Sequence, residues 1–326
     1  MTTAKRLHWI AFIFVAALVY TQRVCAQDYP SRLIKIIVPI STGSTTDVVA
    51  RIIAEAMRTA TGQSVIVENR PGAGGTVGSA MVAKSPPDGY TLLVVSSAHT
   101  SNPVLYAKLP YDGINDFKGI SMLASMPQIL VTAPSKNFKT VADLIERAKA
   151  KPGSLTYGSG GVGSAVHMNA EQFRAMAKIE ALHVPYRGSP EVVTDLISGA
   201  IDFSFIPAGN VLGVIREGRL VALATGTEQR SKLLPDVPTT VEAGVSGSSY
   251  SPWIGMFAPV GTPPAVLERL NRIVVAALRS PETQQKLLSF GAEATPMTAD
   301  AFDVLVFKEV SSIRELVKVA KIPITQ

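Results

Sequence analysis

Glu68-Asn69-Arg70-Pro71-Gly72-Ala73-Gly74-Gly75-Thr76 lies between two apolar runs, and its reading decides the fold. The β-rich run Ser64-Val65-Ile66-Val67 leads into it, and a helix-like run over 78–84 leaves it. A strand, a glycine-rich turn and a helix start bring backbone N–H groups to one point with no side chains in the way, which suits a small anion. Upstream, 33–38 is an apolar run of strand length closed by Pro39. After Ser41-Thr42-Gly43-Ser44-Thr45 a helix begins near Thr46, with Val49, Ile52, Ile53, Ala56 and Met57 at helical spacing and Gly62 as its stop. Downstream, Pro86-Pro87-Asp88-Gly89 turns sharply into a buried strand over 90–95. This succession predicts a largely parallel sheet with helices on both faces.

The pattern then repeats. A strand over 128–132 and a capped helix start at Thr140-Val141-Ala142-Asp143 precede a strand over 154–157. That strand enters a second glycine-rich segment, Gly158-Ser159-Gly160-Gly161-Val162-Gly163-Ser164, followed by a helix to about Met176. Strands over 181–184, 201–205 and 220–225 alternate with helices over 190–198 and 210–217. A return strand over 253–258 and helices over 263–279, 281–289 and 299–320 complete the chain. No linker or low-complexity segment separates the halves, which predicts two closely connected lobes.

Residues 1–26 read as a secretory signal peptide. Lys5 and Arg6 form the charged start, 9–20 is a run of twelve apolar residues, and Val24-Cys25-Ala26 gives the small-residue cleavage pattern. Twelve helical residues rise about 18 Å, short of a hydrocarbon core of about 30 Å, which argues against an anchor. Arg23 and Val24 are poor lipobox residues, so lipid attachment at Cys25 is the weaker alternative. Cys25 is the only cysteine, so the mature chain has no disulfide, thiolate metal site or cysteine nucleophile. The whole chain has 31 Lys and Arg against 25 Asp and Glu. Three of the basic residues and none of the acids leave with the signal, so the mature charge is +3. The basic residues are scattered, which argues against nucleic acid. With 47% apolar and 17% charged residues, the chain predicts well-buried α/β material.

The common chemistries fit poorly. In Gly72-Ala73-Gly74-Gly75-Thr76-Val77-Gly78 the last glycine of a dinucleotide fingerprint arrives one residue late, and no acid follows near position 95. No Gly-x-Ser-x-Gly elbow occurs, and His99, His167 and His183 are dispersed, none with a second His or Cys four residues on. Neither a catalytic residue, a cofactor nor a metal is expected. What stands out instead is four loops rich in Gly, Ser and Thr, each after an expected strand: 40–46, 69–76, 96–101 and 158–164. In an open parallel sheet such loops line one crevice, and a helix N-terminus there can hold a carboxylate. A structural turn remains the alternative for each loop taken singly.

At this point the chain resembles the Bug/TctC family, the periplasmic solute receptors of tripartite tricarboxylate transporters. Matching stretches include Tyr29-Pro30-Ser31-Arg32, Val67-Glu68-Asn69-Arg70-Pro71-Gly72-Ala73-Gly74-Gly75, Pro87-Asp88-Gly89-Tyr90-Thr91-Leu92-Leu93 and Asn102-Pro103-Val104-Leu105-Tyr106. Others are Leu109-Pro110-Tyr111-Asp112, His183-Val184-Pro185-Tyr186-Arg187-Gly188, Leu234-Pro235-Asp236-Val237-Pro238-Thr239 and Ala258-Pro259-Val260-Gly261-Thr262-Pro263. The resemblance implies a type II periplasmic-binding-protein fold: two α/β lobes, 27–127 plus 251–326 and 128–250, with a ligand cleft between them and two crossings as hinge. It implies a periplasmic monomer that captures a small organic acid unchanged for the membrane permease of a tripartite transporter. A receptor that reports to a membrane sensor is the alternative, and an exported enzyme a distant one.

Carried over by position, the resemblance implies a ligand site of Ile40, Ser41, Thr42, Gly43, Ser44, Thr45 and Asp47, with Ser97 and His99 on a second loop. The other lobe contributes Ser159, Gly160, Ser164, His167, Tyr186, Arg187 and Asp202. Family members commonly carry Phe-Ala-Pro-Gly-Gly where this chain has Ile40-Ser41-Thr42-Gly43-Ser44, so an aromatic wall is exchanged for hydroxyls. Asp202 reads two ways: as a partner for a ligand amino group, or as an acceptor for backbone and hydroxyl groups at a strand end.

Overall fold

The structure, a computed structural model, describes residues 29–72, 75–186, 188–320, 322 and 324. The signal-peptide segment, Ala73, Gly74 and Arg187 lie outside the described residues. A first sheet has the order β11-β4-β10-β3-β1-β2, from β1 (Ile34–Val38), β2 (Val65–Asn69), β3 (Thr91–Ser96), β4 (Phe117–Ser125), β10 (Trp253–Pro259) and β11 (Glu293–Ala294). β1 runs parallel to β2 and β3. The return strand β10 inserts antiparallel between β3 and β4. The sheet is therefore mixed, a correction to the largely parallel one expected.

Two-residue alternation explains why β1 reads as one apolar run. Ile34, Ile36 and Val38 point to one face, where α1 (Thr45–Thr61) and α8 (Pro264–Arg279) close the core. Ile37 points to the other, among Leu93, Val95, Phe117, Trp253, Phe257 and Phe302. There α2 (Thr76–Ala83) and α10 (Ala299–Ala320) cover the sheet. The glycine turn that opened the sequence reading serves packing here. A Cβ on Gly78 would fall 2.8 Å from both Arg70 O and Pro39 Cβ, so α2 starts tightly against the residue that follows β1.

In the second sheet, β5 (Gln128–Thr132) pairs antiparallel with β8 (Ser204–Pro207) and β9 (Val221–Thr225). β6 (Leu155–Ser159) pairs parallel with β7 (Ala181–Pro185), and a Tyr157–Phe203 bridge joins the two groups. Helices α4 (Val141–Ala150), α5 (Ala165–Ala177), α6 (Ser189–Ser198) and α7 (Ala208–Arg216) flank it. α9 (Pro281–Ser289) belongs to the first sheet's side, where Leu287 joins the core.

Three labelled elements have no counterpart in the expectations from sequence: α3 (Ala98–Leu105), β4 and the two-residue β11. α3 includes part of an expected loop, because His, Thr, Ser, Asn and an internal Pro103 are poor helix formers. β4 carries Gly119 and Ser121 and shows no alternation, since both its faces are buried.

The chain crosses between sheets at Met126-Pro127 and at Ser251-Pro252, and the Met126 N–H donates to Pro252 O at 2.7 Å. Leu105 of α3 packs with Met168 of α5 and with Ile313, Leu316 and Val317 of α10, tying the two halves by apolar contact. Elsewhere the halves touch backbone to backbone: a Cβ on Gly291 would lie 2.4 Å from the Gly209 nitrogen.

At the centre of β10, a Cβ on Gly255 would sit 2.2 Å from Cζ of the fully buried Phe302 and 2.9 Å from the Trp253 ring. Gly255→Ala is therefore expected to destabilise the protein by about 1–3 kcal/mol, read from urea unfolding. An unchanged midpoint would show that this core yields freely.

Candidate functional site

Two strand-to-helix loops, one on each sheet, are built on the same plan. After β1, Ser44 N–H donates to Ser41 O at 3.3 Å, closing a turn with Gly43 at φ +82°. Ser44 then caps α1: in extended conformation (φ −67°, ψ 157°), its hydroxyl accepts the Asp47 N–H. Asp47 in turn reaches back and accepts the Gly43 N–H on Oδ2 at 2.9 Å. After β6, Ser164 N–H donates to Gly161 O at 3.2 Å, with Gly163 at φ +78°. Ser164 (φ −63°, ψ 155°) caps α5 by accepting the His167 N–H, and His167 Nδ1 accepts the Gly163 N–H at 3.2 Å. Gly43 and Gly163 stand at the third turn position, whose positive φ other residues resist. In each loop the first two amides of the helix, Thr45 and Thr46 or Ala165 and Val166, have no intrahelical acceptor. Each helix presents them with the positive end of its dipole.

The supports beneath the loops differ. Asp47 is buried; burial works to raise its pKa, but the Arg51, Gly43 and Asn69 hydrogen bonds prevail and hold it below the usual carboxylate range. Asn69 Nδ2 donates to both Asp47 Oδ1 (2.9 Å) and Ile40 O (3.1 Å), buckling the loop to the end of β2. Arg51 bonds Asp47 and Asn69 together. Under the second loop lies an aromatic stack, with His183 4.9 Å from the Tyr157 ring centroid and 4.2 Å from that of His167. The Tyr157 hydroxyl donates to Glu171, which pairs with Arg174. Ser159 is fully buried; its Oγ lies 2.6 Å from His183 Nε2 and accepts the Gly161 N–H. A histidine accepting at Nδ1 is neutral with its proton on Nε2. Burial, reinforced by His183, pushes the His167 pKa down to about 4.

The structure thus gathers Ile40, Ser41, Thr42, Gly43, Ser44, Thr45 and Asp47 in one loop and Ser159, Gly160, Ser164 and His167 in another. α3 adjoins the second: a Cβ on Gly163 would lie 3.1 Å from Leu105 Cδ1. Ser97 opens α3, but it is buried and its side chain meets that of Tyr250. His99 is turned into the first core, its ring 5.0 Å from Phe117 and 4.7 Å from Phe257, and burial lowers its pKa to about 4. Tyr186 donates to Asp195 Oδ2 at 2.6 Å, with its pKa pushed up to about 12 by burial and then by Asp195. Asp202 stands at the opposite end of β6 from Ser159. Its carboxylate accepts the Thr156 N–H and hydroxyl and pairs with Lys136 at 2.7 Å, the second of the two roles weighed for it. Arg187 lies outside the described residues.

Missed from sequence were Asn69, Arg51, His183, Tyr157, Glu171 and Arg174. Asn69 and His183 do lie within motifs that carried the family resemblance. Among the described residues no group of three His, Cys, Asp or Glu could hold a metal. No described helix is long and apolar enough to cross a membrane. A concavity of about 970 Å³ lies elsewhere, against α10 and the crossings, and none of the expected residues that are described lines it.

Two sheets joined by paired crossings, each bearing a capped helix start beyond a parallel strand, define a two-lobed α/β solute-binding protein of type II. The model of the tripartite tricarboxylate transporter family receptors matches residues 49–322, and the chain belongs to that family. Receptors of this family are periplasmic and bind solutes; they are not enzymes. The chain is 37% identical to Protein BugT of Bordetella pertussis over 302 residues, 90% of this chain and 91% of that one. Rpa4515 of R. palustris, solved with adipate, superposes with a TM-score of 0.76 at 33% identity, covering 91% of this chain and 99% of the other. MatC from Rhodopseudomonas palustris, with bound malate, gives 0.71 at 30% identity, covering 89% and 100%.

His167 and His99 both take up protons far more readily in the unfolded chain (pKa 6.5) than in the folded one (about 4). Their stabilisation is complete above pH 6.5 and lost as pH falls through 4. Each contributes a slope of up to about 1.4 kcal/mol per pH unit in that window. Urea unfolding at pH 7, 6, 5 and 4 should show this decline, with a shallower slope for His167→Gln. An identical slope in the variant would count against a neutral His167. Asn69→Ala should cost about 1–3 kcal/mol through the partly buried groups it leaves unpaired, read in the same assay.

Proposed function

We propose that the chain is exported through residues 1–26 and works as a periplasmic monomer. Its lobes, 27–127 plus 251–326 and 128–250, close on a small dicarboxylate and carry it unchanged to a tripartite transporter permease. One observation carries this reading: the helix starts at Thr45 and Ala165 repeat the same glycine turn, serine cap and open amides on opposite sheets. Each suits one carboxylate, and a diacid supplies two. The adipate and malate recorded with two relatives support the same class. The hydroxyls of Ser41 and Thr42, gained where the family commonly carries an aromatic wall, favour an acid with polar substituents or bridging water. Ser44, Asp47, Ser159, Ser164 and His167 hold the loops, and Arg187 contributes positive charge. His99 and Asp202 are structural on this reading. Closure excludes water and strengthens the charge-assisted bonds.

Calorimetry of the mature chain against malate, adipate and their mono-esters tests it. The expected result is one diacid per chain, recovered intact, with the mono-ester weaker by about ten- to a hundredfold. That ratio corresponds to roughly 1.5–3 kcal/mol for one charge-assisted bond. Equal affinity for acid and ester, no binding of any dicarboxylate, or chemical conversion of the acid would defeat the proposal.

A further inference from the structure

The 970 Å³ concavity has a chemistry of its own. Its walls come from both sides of the crossings: α10 on one, and on the other the segments 227–232 and 247–251 that follow β9. Val304, Leu305, Ile313 and Leu316 make the α10 side apolar. Trp253 and Glu309 lie deeper. Glu309 Oε2 accepts Trp253 Nε1–H at 2.6 Å and Thr100 Oγ1–H at 3.2 Å, while Oε1 accepts no hydrogen bond among the described residues. No Lys, Arg or His among them comes within ion-pair distance of Glu309 either.

The other charges on the groove do not supply that cation. Arg230 is paired with Glu242 at 2.9 Å. Lys232 and Lys308 are exposed. Glu293 accepts the Lys232 N–H and the Ser231 hydroxyl, and Glu228 adds a further negative charge. Tyr250, from the crossing segment, is the titratable group that interacts with Glu309, and Glu228, Arg230, Lys232, Glu293 and Lys308 share the groove lining. Glu309 is partly buried, and a carboxylate oxygen left open beside an apolar wall gains from a cation partner. Burial accordingly pushes the Glu309 pKa up to about 7, against hydrogen bonds from Trp253 and Thr100 that lower it. The volume falls within the range of small-molecule sites, and an apolar wall beside aromatic rings suits an organic cation better than a metal ion.

We propose that this groove is a second ligand site, taking a small organic ammonium ion whose nitrogen pairs with Glu309 Oε1 and whose hydrocarbon body lies along α10. Its residues are distinct from the two capped loops, so it stands apart from the carboxylate reading. Since both sides of the crossings form its walls, an occupant senses the angle between the sheets, and the site is placed to modulate closure.

Benzylammonium is the probe and benzyl alcohol its uncharged control, titrated by calorimetry into the mature chain at pH 6 and pH 8. Binding of the ammonium is expected to tighten about tenfold at pH 8, as a carboxyl with a pKa near 7 becomes ionised. Glu309→Gln should remove the pH dependence and weaken binding at least tenfold. Ser312→Trp, which fills the groove from an exposed position on α10, should block binding while leaving melting unchanged. The proposal is overturned if the alcohol binds as well as the ammonium, or if neither binds at millimolar concentration. Full binding in the Ser312→Trp protein overturns it even if Glu309→Gln fails to fold.

Discussion

The architecture depends on how each sheet fastens the turn before its helix without using up the helix's first amides. A cap that satisfied every donor would leave nothing for a solute, and an uncapped turn would not hold its shape. Ser44 and Ser164 resolve this by accepting only the third amide of the helix. Asp47 and His167, the residues carrying those amides, use their side chains to clamp the glycine just before the cap. The turn is thereby tied at both ends while two N–H groups stay open. The deeper layers, the Asn69–Arg51 buckle on one side and the His183–Tyr157–Glu171 stack on the other, keep those clamps in position.

The two clamps are not electrically alike. Asp47 brings a negative charge close to its helix start, offset by Arg51. His167 is neutral and brings none. An anion at the second loop therefore feels the helix dipole undiminished, whereas one at the first feels it reduced by a buried carboxylate. If an anion first docks on one lobe before closure, the α5 side is electrostatically the better landing point.

Much of this was legible in the sequence because it is local. The apolar run over 33–38, the stop at Gly62, the two glycine-rich loops and the alternation of strand and helix in the second half all rest on short-range patterns. What stayed hidden depends on contacts far along the chain. β4 is a strand because β10 returns some 130 residues later to pair with it, and α3 is a helix because α10 covers it. The site residues divide the same way. Ser44 and Ser164 lie in short Gly- and Ser-rich loops that the family resemblance marks, while the inward turn of His99 needed Phe117 and Phe257, and the pairing of Asp202 needed Lys136. The glycine turn at 72–78 carries two readings from sequence, an anion cradle and a tight structural turn, and Gly78 supports the second, because Pro39 and Arg70 leave no room for a side chain.

The meeting of Gly209 with Phe290 and Gly291 gives the molecule a bearing. Main chain rests on main chain there, with no side chain between the two halves at that point. A contact of this kind resists compression. Even a methyl group at either glycine would act as a wedge, holding the jaws at one angle while leaving the jaws themselves intact.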